Sequence, residues 1–106
     1  LRRLRRGEEG MSGYRLTPAA QRDLSSIWDY TEERWDTGQA ETYLMEIRYA
    51  IERVASDPSR GRACDEVREG YRRYSIGSHL IFYVESAAGV VVIRILHQRM
   101  DPTRHL

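Results

Sequence analysis

The sequence predicts an α+β fold, in which an antiparallel helix hairpin packs on a mostly antiparallel sheet of about three to four strands. Apolar residues recur at spacings of three and four through the first half of the chain, as they do in amphipathic helices. In the second half, residues 80–84 and 90–96 form two short, nearly continuous apolar runs bounded by turn residues. Such runs are typical of central strands that are buried on both faces.

Length and composition restrict the class of protein. At 106 residues the chain is long enough for one core and too short for two. Its hydrophobic fraction of 41% argues against wholesale disorder. No apolar run approaches the roughly 20 residues that cross a bilayer. The single cysteine, Cys64, cannot form an internal disulfide, which favours a reducing cytoplasm.

The chain begins with a charged stretch, LRRLRRGEEG, that precedes Met11. These ten residues carry too little apolar surface to fold alone. We expect residues 1–10 to be a leader or extension outside the fold, and residues 11–106 to form a single domain. A basic arm for nucleic acid is the alternative for the leader.

Charge is distributed unevenly along the chain. Residues 19–57 carry four arginines against nine carboxylates and sum to −5, whereas residues 62–106 carry seven arginines against five carboxylates and sum to +2. Such asymmetry can steer a partner, although charged helix faces are usually only solvated surface.

The first half predicts a short strand at residues 14–16 and then two helices. Thr17 can cap the first helix and Pro18 suits its first position. Residues 36–38 break the pattern and cap a second helix, which Pro58 ends at about Ala55. The two tryptophans fall at helical spacing and are expected in the core rather than in a ligand site. The apolar stripes are Ala20, Leu24, Ile27, Trp28, Thr31 and Trp35, then Ala40, Tyr43, Leu44, Ile47, Ile51 and Val54.

The second half predicts a strand meander followed by a charged tail. Within the polar segment 59–70, residues 67–68 are a candidate short strand. Gly77 allows the positive φ of a two-residue hairpin turn with Ser78, and residues 87–89 close a second hairpin. Residues 97–106 then form a compact, basic tail that carries two of the three histidines.

Several kinds of chemistry lack their motifs. The glycines form no GxGxxG or GxxxxGK[ST] pattern, so a phosphate cradle is not predicted. No GxSxG occurs, as the nucleophile elbow of a serine hydrolase would require. His97 and His105 lie eight residues apart without a nearby cysteine pair, so zinc-ligand spacing is absent. We expect neither a metal nor a cofactor.

The chemistry left open is RNA cleavage without a metal, which needs a base, an acid and cations that stabilise a charged phosphorane. Strand alternation places Arg94 on one face with Val92 and Leu96, and Tyr83 on one side with Ile81 and Glu85. A paired, structural Arg94 and a hydrogen-bonded, structural His97 are the alternatives. The candidate side chains are His97, His105 and Glu85 for proton transfer, and Arg73, Arg94 and Arg99 for charge stabilisation.

The order of elements resembles the RelE/ParE superfamily of bacterial toxins, and local segments resemble its ParE branch. Leu16-Thr17-Pro18-Ala19-Ala20 with Ile27-Trp28-Asp29-Tyr30 is similar to the first strand and helix of that branch. Residues 61–62, 68–72 and 77–83 are similar to its central strands, and residues 94–101 with 104–106 to its C-terminal signature. The resemblance covers residues 14–106.

The resemblance implies a toxin of a type II toxin–antitoxin pair that poisons DNA gyrase and blocks replication without being an enzyme. It implies a ParD-like antitoxin, a hetero-oligomer with it, and contact with DNA only through the antitoxin or gyrase, with no membrane. We expect the tail to face the target, through Arg94, His97, Arg99, Met100, Asp101, Arg104 and His105. We expect the antitoxin to bind apolar grooves that include Trp28, Trp35, Ile81, Tyr83 and Val92.

Two other functions stay open at this point. One is a RelE-like, ribosome-dependent mRNA endoribonuclease with Arg94, His97 and Tyr83 near the chemistry. The absence of lysine and a net charge of only +1 make this less suited to docking on ribosomal RNA. The other is an inactive structural partner within a repressor complex.

Overall fold

The computed structural model describes residues 13–106, and the expected leader lies outside this range. Neither helix of the described range is long and apolar enough to cross a membrane. Short 3₁₀ helices occupy Pro58–Arg60 and Pro102–Arg104. The strands and α-helices are β1 (Tyr14–Leu16), α1 (Pro18–Arg34), α2 (Thr37–Ser56), β2 (Arg62–Ala63), β3 (Arg72–Ile76), β4 (His79–Ser86) and β5 (Gly89–His97).

The sheet has five strands in the order β1-β5-β4-β3-β2. β1 runs parallel to β5, and every other neighbouring pair is antiparallel. The α+β class is therefore confirmed, with one strand more than the expected three to four. The additional strand is β2, whose two residues are too few to leave a periodic pattern. The candidate strand at residues 67–68 is wrong, because the N–H groups of Val67 and Arg68 both donate to the Cys64 carbonyl and close a turn.

The helix starts agree with the sequence. The Thr17 hydroxyl accepts the Ala20 N–H at 3.0 Å, and Pro18 opens α1. The Asp36 carboxylate accepts the Gln39 N–H at 2.8 Å and caps α2. Each cap satisfies one of the N–H groups that lack a partner in the first turn. The turn between the helices is short, so they pack as an antiparallel hairpin.

The central strands are buried on both faces, as their continuous apolarity predicts. On one face, Ile47 and Ile51 of α2 pack against Ile81, Tyr83 and Val92 in the main core. The opposite face, called here the outer face, carries a smaller buried cluster. Its members are Cys64, Phe82 and Leu96, partly covered by Val67, Tyr71, Leu80 and Leu106.

A bulge in β5 changes which residues share a face. Tyr83 pairs with Val92 but Phe82 pairs with Arg94, so Ile93 is an extra residue on β5. Val92 consequently faces the helices, whereas Leu96 lies in the outer cluster. The prediction that Arg94 shares a face with Val92 is wrong for this reason, and the prediction that it shares a face with Leu96 agrees with the pairing.

Trp35 lies outside the core. α1 ends at Arg34, and Trp35 is the residue that caps its C-terminus. Its side chain is 64% exposed. The apolar stripe therefore stops before Trp35, and the expectation of a core role is wrong for this tryptophan. Trp28 is partly buried.

Candidate functional site

Arg94 is held by an acidic side chain from the other half of the chain. Its Nε and Nη2 donate to Oδ2 and Oδ1 of Asp23, each at 2.8 Å. Hydrogen bonding to Asp23 raises the pKa of Arg94 above its ordinary value, so the guanidinium stays charged. Both side chains are mostly buried, with 23% of Arg94 and 13% of Asp23 exposed. The geometry therefore agrees with the alternative in which Arg94 is a paired, structural residue.

Local topology explains why Asp23 is available at this position. β1 pairs with β5 only as far as Val92, which leaves the next stretch of the β5 edge without a strand. α1 crosses there and supplies side chains instead. The Thr17 hydroxyl donates to the Ile93 carbonyl at 2.7 Å, and the Asp23 carboxylate accepts the Ile95 N–H at 2.8 Å. Asp23 thus satisfies the strand edge and the arginine together.

Arg94 also contacts the C-terminal tail, residues 98–106. Its Nη1 donates to the His105 carbonyl at 3.2 Å. The tail is further shaped by Asp101, whose carboxylate accepts the N–H and hydroxyl of Thr103 at 3.1 and 2.8 Å. These bonds lower the pKa of Asp101 below its ordinary value. Leu106 then packs on the outer cluster. The tail therefore folds back across the outer face rather than extending from β5.

The expected target-facing residues separate into supporting and exposed groups. Arg94 and Asp101 make the internal contacts that shape the tail. His97 is partly buried, and its Nδ1 accepts the Arg99 N–H at 3.1 Å. The exposed side chains of the set are Arg99, Met100, Arg104 and His105, together with Asp101.

Tyr83 is a structural residue in the core. Its hydroxyl donates to the Pro58 carbonyl at 2.6 Å and accepts the Gly61 N–H at 2.9 Å. Burial raises the pKa of this hydroxyl. Because Tyr83 faces the helices while Arg94 lies on the outer face, the two do not converge on one reacting group. The geometry does not bring together the three residues that the nuclease alternative requires.

Three of the five residues expected to bind an antitoxin have no exposed surface. Ile81, Tyr83 and Val92 are 0% exposed, because strand alternation turns them towards α1 and α2. That part of the expectation is wrong, because a fully buried side chain cannot contact a partner. Trp35 remains exposed and Trp28 partly so. Other large exposed apolar side chains on the hairpin were missed: Tyr30 is 60%, Met45 42% and Tyr49 53% exposed. These three residues lie outside the two apolar stripes of the sequence, and that position could have indicated that their side chains are exposed.

An open apolar groove lies between β1 and the helix hairpin. Its volume is about 220 Å³, and a basic side chain lines it beside the apolar ones. The groove is lined by Tyr14, Leu16, Leu24, Leu44, Ile47, Arg48 and Ile51.

A tyrosine and two histidines join α2 to the sheet at its other end. The Tyr43 hydroxyl accepts the Ser78 N–H at 3.1 Å and lies 2.7 Å from His79 Nδ1. His79 and His97 are cross-strand neighbours whose rings meet edge to face, with centroids 5.3 Å apart. Burial, and then the nearby His97, lower the pKa of His79. Tyr43 and His79 were not predicted as a pair, because no local pattern links them.

Across residues 13–106, no group of three or more His, Cys, Asp or Glu side chains is placed to hold a metal ion. Cys64 is fully buried, and burial raises the pKa of its thiol, which disfavours the reactive thiolate.

Comparisons with known proteins agree on one family. Residues 14–102 match the family described as "ParE toxin of type II toxin-antitoxin system, parDE". The chain is 54% identical over 96 residues to Toxin ParE1 of Mycobacterium tuberculosis, covering 90% of this chain and 98% of that protein. It is 43% identical over 96 residues to Toxin ParE1 of Caulobacter vibrioides, covering 91% and 99%.

A solved structure shares the fold. The structure described as "Chromosomal ParDE TA system from P. aeruginosa" matches with a TM-score of 0.70 and 15% sequence identity, over 79% of this chain and 92% of that chain. Its low identity limits this likeness to the fold. The sequence matches go further, since the family match spans most of the chain. The chain belongs to the ParE toxin family of type II toxin–antitoxin systems.

Proposed function

We propose that this ParE-family toxin inhibits bacterial growth by poisoning DNA gyrase, and that a ParD-like antitoxin neutralises it in the cytoplasm. Family membership across residues 14–102 is the observation that carries the proposal. The toxin acts by binding. Arg94 and Tyr83, which a nuclease would need free, are both engaged in contacts inside the protein.

The surface proposed for gyrase is the exposed part of the tail: Arg99, Met100, Arg104 and His105. Arginine is enriched among the hot spots of protein interfaces, and methionine is enriched in interfaces relative to the rest of the surface. Arg99 and Met100 supply that combination, and Met100 is 45% exposed. The internal contacts of Arg94 and Asp101 keep the tail in one shape, which lowers the entropic cost of binding.

The surface proposed for the antitoxin is the helix hairpin with its adjoining groove. Tyr30, Trp35, Met45 and Tyr49 expose apolar area on an otherwise acidic hairpin. Aromatic residues and methionine are enriched in interface cores. An amphipathic helix of the antitoxin fits such a groove. The two surfaces lie on opposite sides of the sheet, so the antitoxin need not cover the tail to restrain the toxin.

The experiment is a supercoiling and DNA-cleavage assay with purified gyrase. The toxin is expected to inhibit supercoiling and to accumulate cleaved DNA, and the antitoxin is expected to abolish both effects. A toxin with Arg99, Arg104 and His105 all replaced by Ala should lose the effect. The matched control replaces exposed arginines elsewhere, Arg15→Ala with Arg22→Ala, and should retain it. Full activity of the triple variant would refute the tail surface, and no effect of the unaltered toxin would refute gyrase as target.

A further inference from the structure

Three arginines share one row across the outer face of the sheet. Arg62 of β2 lies opposite Arg73 of β3, Arg73 opposite Phe82 of β4, and Phe82 opposite Arg94 of β5. Residues directly opposite each other on neighbouring strands project from the same face. Tyr74 packs in the main core, so its neighbour Arg73 points away from the helices.

Among residues 13–106, one arginine of the row has a carboxylate partner. Arg94 is paired with Asp23. Within residues 13–106, neither Arg62 nor Arg73 has a carboxylate within 4.0 Å, and neither donates a side-chain hydrogen bond. Arg72, beside them, differs because its guanidinium donates to the Gly61 carbonyl at 2.7 Å. Arg62 and Arg73, named here the arginine pair, are therefore neighbours without an ion pair to any described residue.

The arginine pair is costly for the fold alone. Like charges directly opposite each other destabilise a sheet, since their Cβ atoms are only about 5 Å apart. One exposed charge on β2 would suffice to protect this edge from pairing with another chain. A second charge opposite it adds repulsion without further protection. A bound anion removes that repulsion, and two guanidinium groups at this spacing can share one phosphate through bidentate hydrogen bonds.

The positions of these residues and the distribution of charge favour a long polyanion as the ligand of the outer face. Arg62 and Ser75 are exposed at the open sheet edge, and Ser75 shares the outer face two residues beyond Arg73, about 6.8 Å along the strand. Residues 19–57 sum to −5, from four arginines against nine carboxylates, and they form the helix hairpin on the opposite side of the sheet. The hairpin repels a polyanion, which is thereby directed to the outer face.

We propose that the arginine pair binds a backbone phosphate of duplex DNA, with the Ser75 hydroxyl beside the next contact. The choice of DNA rests on the proposed function, because gyrase holds a DNA duplex. The contact carries no base specificity, as expected for phosphate binding. The toxin thus touches DNA directly, and not only through gyrase or the antitoxin.

The test measures binding of the full chain to a fluorescently labelled 20-base-pair duplex over a salt series, without gyrase. The variant is Arg62→Gln with Arg73→Gln, and the matched control is Arg15→Gln with Arg22→Gln. The arginines of residues 1–10 are present in the unaltered chain, the variant and the control alike, so their contribution to DNA binding cancels in the comparison. We expect the variant to bind at least about tenfold more weakly at low salt. Its slope of log K against log salt should fall by about one, close to the 0.9 expected for one lost phosphate contact.

Several outcomes would overturn the inference. One is an unchanged affinity and slope in the variant, and another is an equal loss in the control. Tighter, pair-dependent binding of an RNA duplex of the same sequence would assign the pair to RNA instead. Inorganic phosphate can also be added at constant ionic strength, at the same concentration as the phosphate groups of the duplex. If it displaces the duplex at that concentration, the arginine pair is a site for small anions and not for DNA.

Two further measurements separate the explanations. Arg62→Gln alone changes only an exposed side chain and should weaken binding and lower the salt slope by less than the double variant does, which guards against a folding defect in the double variant. The binding assay contains no gyrase, so its failure leaves gyrase poisoning standing. Conversely, pair-dependent DNA binding by a toxin that does not poison gyrase would support the DNA site and refute the proposed function.

Discussion

Asp23 and Arg94 lie 71 residues apart in the chain and form a two-point ion pair with both bonds at 2.8 Å. The same carboxylate accepts a backbone N–H of β5, and the same guanidinium donates to a carbonyl of the tail. One pair therefore connects α1, the edge of β5 and the C-terminal tail. Removing either member affects all of these contacts together.

Arg94→Ala is expected to lower the free energy of unfolding by about 2–3 kcal/mol, because it leaves the mostly buried Asp23 carboxylate without its cation. Urea denaturation measures the change. The control is Arg48→Ala, which breaks an exposed ion pair with Glu52 and should cost no more than about 0.5 kcal/mol. Equal losses in the two variants would contradict the structural role of Arg94.

Tyr83→Phe is expected to destabilise the fold by about 2 kcal/mol, since it leaves the Gly61 N–H and the Pro58 carbonyl without their partner. Thermal or urea unfolding reports the loss, and toxicity should fall only as far as the folded fraction falls. Tyr49→Phe is the control, because Tyr49 is 53% exposed and its loss of a hydroxyl should be neutral. A Tyr83→Phe protein that is fully stable yet inactive would restore a chemical role for this hydroxyl.

Gly61→Ala should be costly for steric reasons. A Cβ at this position would lie 2.1 Å from the Tyr83 hydroxyl oxygen, although the φ of −77° is open to any residue. We expect a loss of about 2–3 kcal/mol, as for other overpacked sites. Combining it with Tyr83→Phe removes the closest atom, so the two losses should sum to more than the loss in the double variant. Strict additivity in a double-mutant cycle would argue against this contact.

Stability is expected to fall as the pH drops below about 6.5, the ordinary pKa of histidine. The lowered pKa of His79 means that the unfolded chain takes up a proton before the folded chain does, so protonation favours unfolding. The stability that neutral His79 contributes is fully present above about pH 6.5, and it is lost as the pH falls towards the pKa of His79 in the folded protein. Tyr43 and His97 face the ring, and Asp23 opposes the shift weakly.

His79→Gln should flatten this part of the pH profile when unfolding free energies are measured between pH 7.5 and 5. His105→Gln is the matched control, because that side chain is exposed, and its profile should retain the slope. An unaltered slope in the His79 variant would assign the pH dependence to another group.

Trp35→Ala should weaken binding of the antitoxin by about 2 kcal/mol, the size of an interface hot spot, while leaving the toxin's stability within about 0.5 kcal/mol. Calorimetric titration with the purified antitoxin measures the first effect and urea unfolding the second. The control is Glu85→Ala, at an exposed position near the end of β4. Unchanged affinity in the Trp35 variant would remove this residue from the antitoxin surface.

Sequence patterns predicted the parts of the fold that local chemistry determines. Thr17 and Asp36 are caps, and Gly77 has the positive φ of 57° that its turn requires. The bulge at Ile93 was not predictable, because both faces of β5 bury apolar residues, such as Val92 on one face and Leu96 on the other. Trp35 was misplaced because helical spacing was continued past the last helical residue.

The candidate site was less predictable than the fold. Arg94 and Asp23 each resemble an ordinary surface charge in sequence, and only the crossing of α1 over the β5 edge brings them together. The arginine pair likewise depends on β2, whose two residues leave no pattern. Exposed side chains such as Tyr49 were recoverable in principle, because they fall outside the apolar stripe of α2.

The pairing of β1 with β5 has a consequence for synthesis. The described sheet gives β1 one neighbour, and that neighbour is β5, the last strand of the described residues in chain order. In the same way, the Thr17 hydroxyl cannot donate to the Ile93 carbonyl until the chain has been made 76 residues further. Contacts at such separation are slow to form, since the intervening chain must be ordered first. The proposed target surface, which is positioned by the pairing of Arg94 with Asp23, is therefore completed only after β5 has been synthesised and has reached β1 and α1.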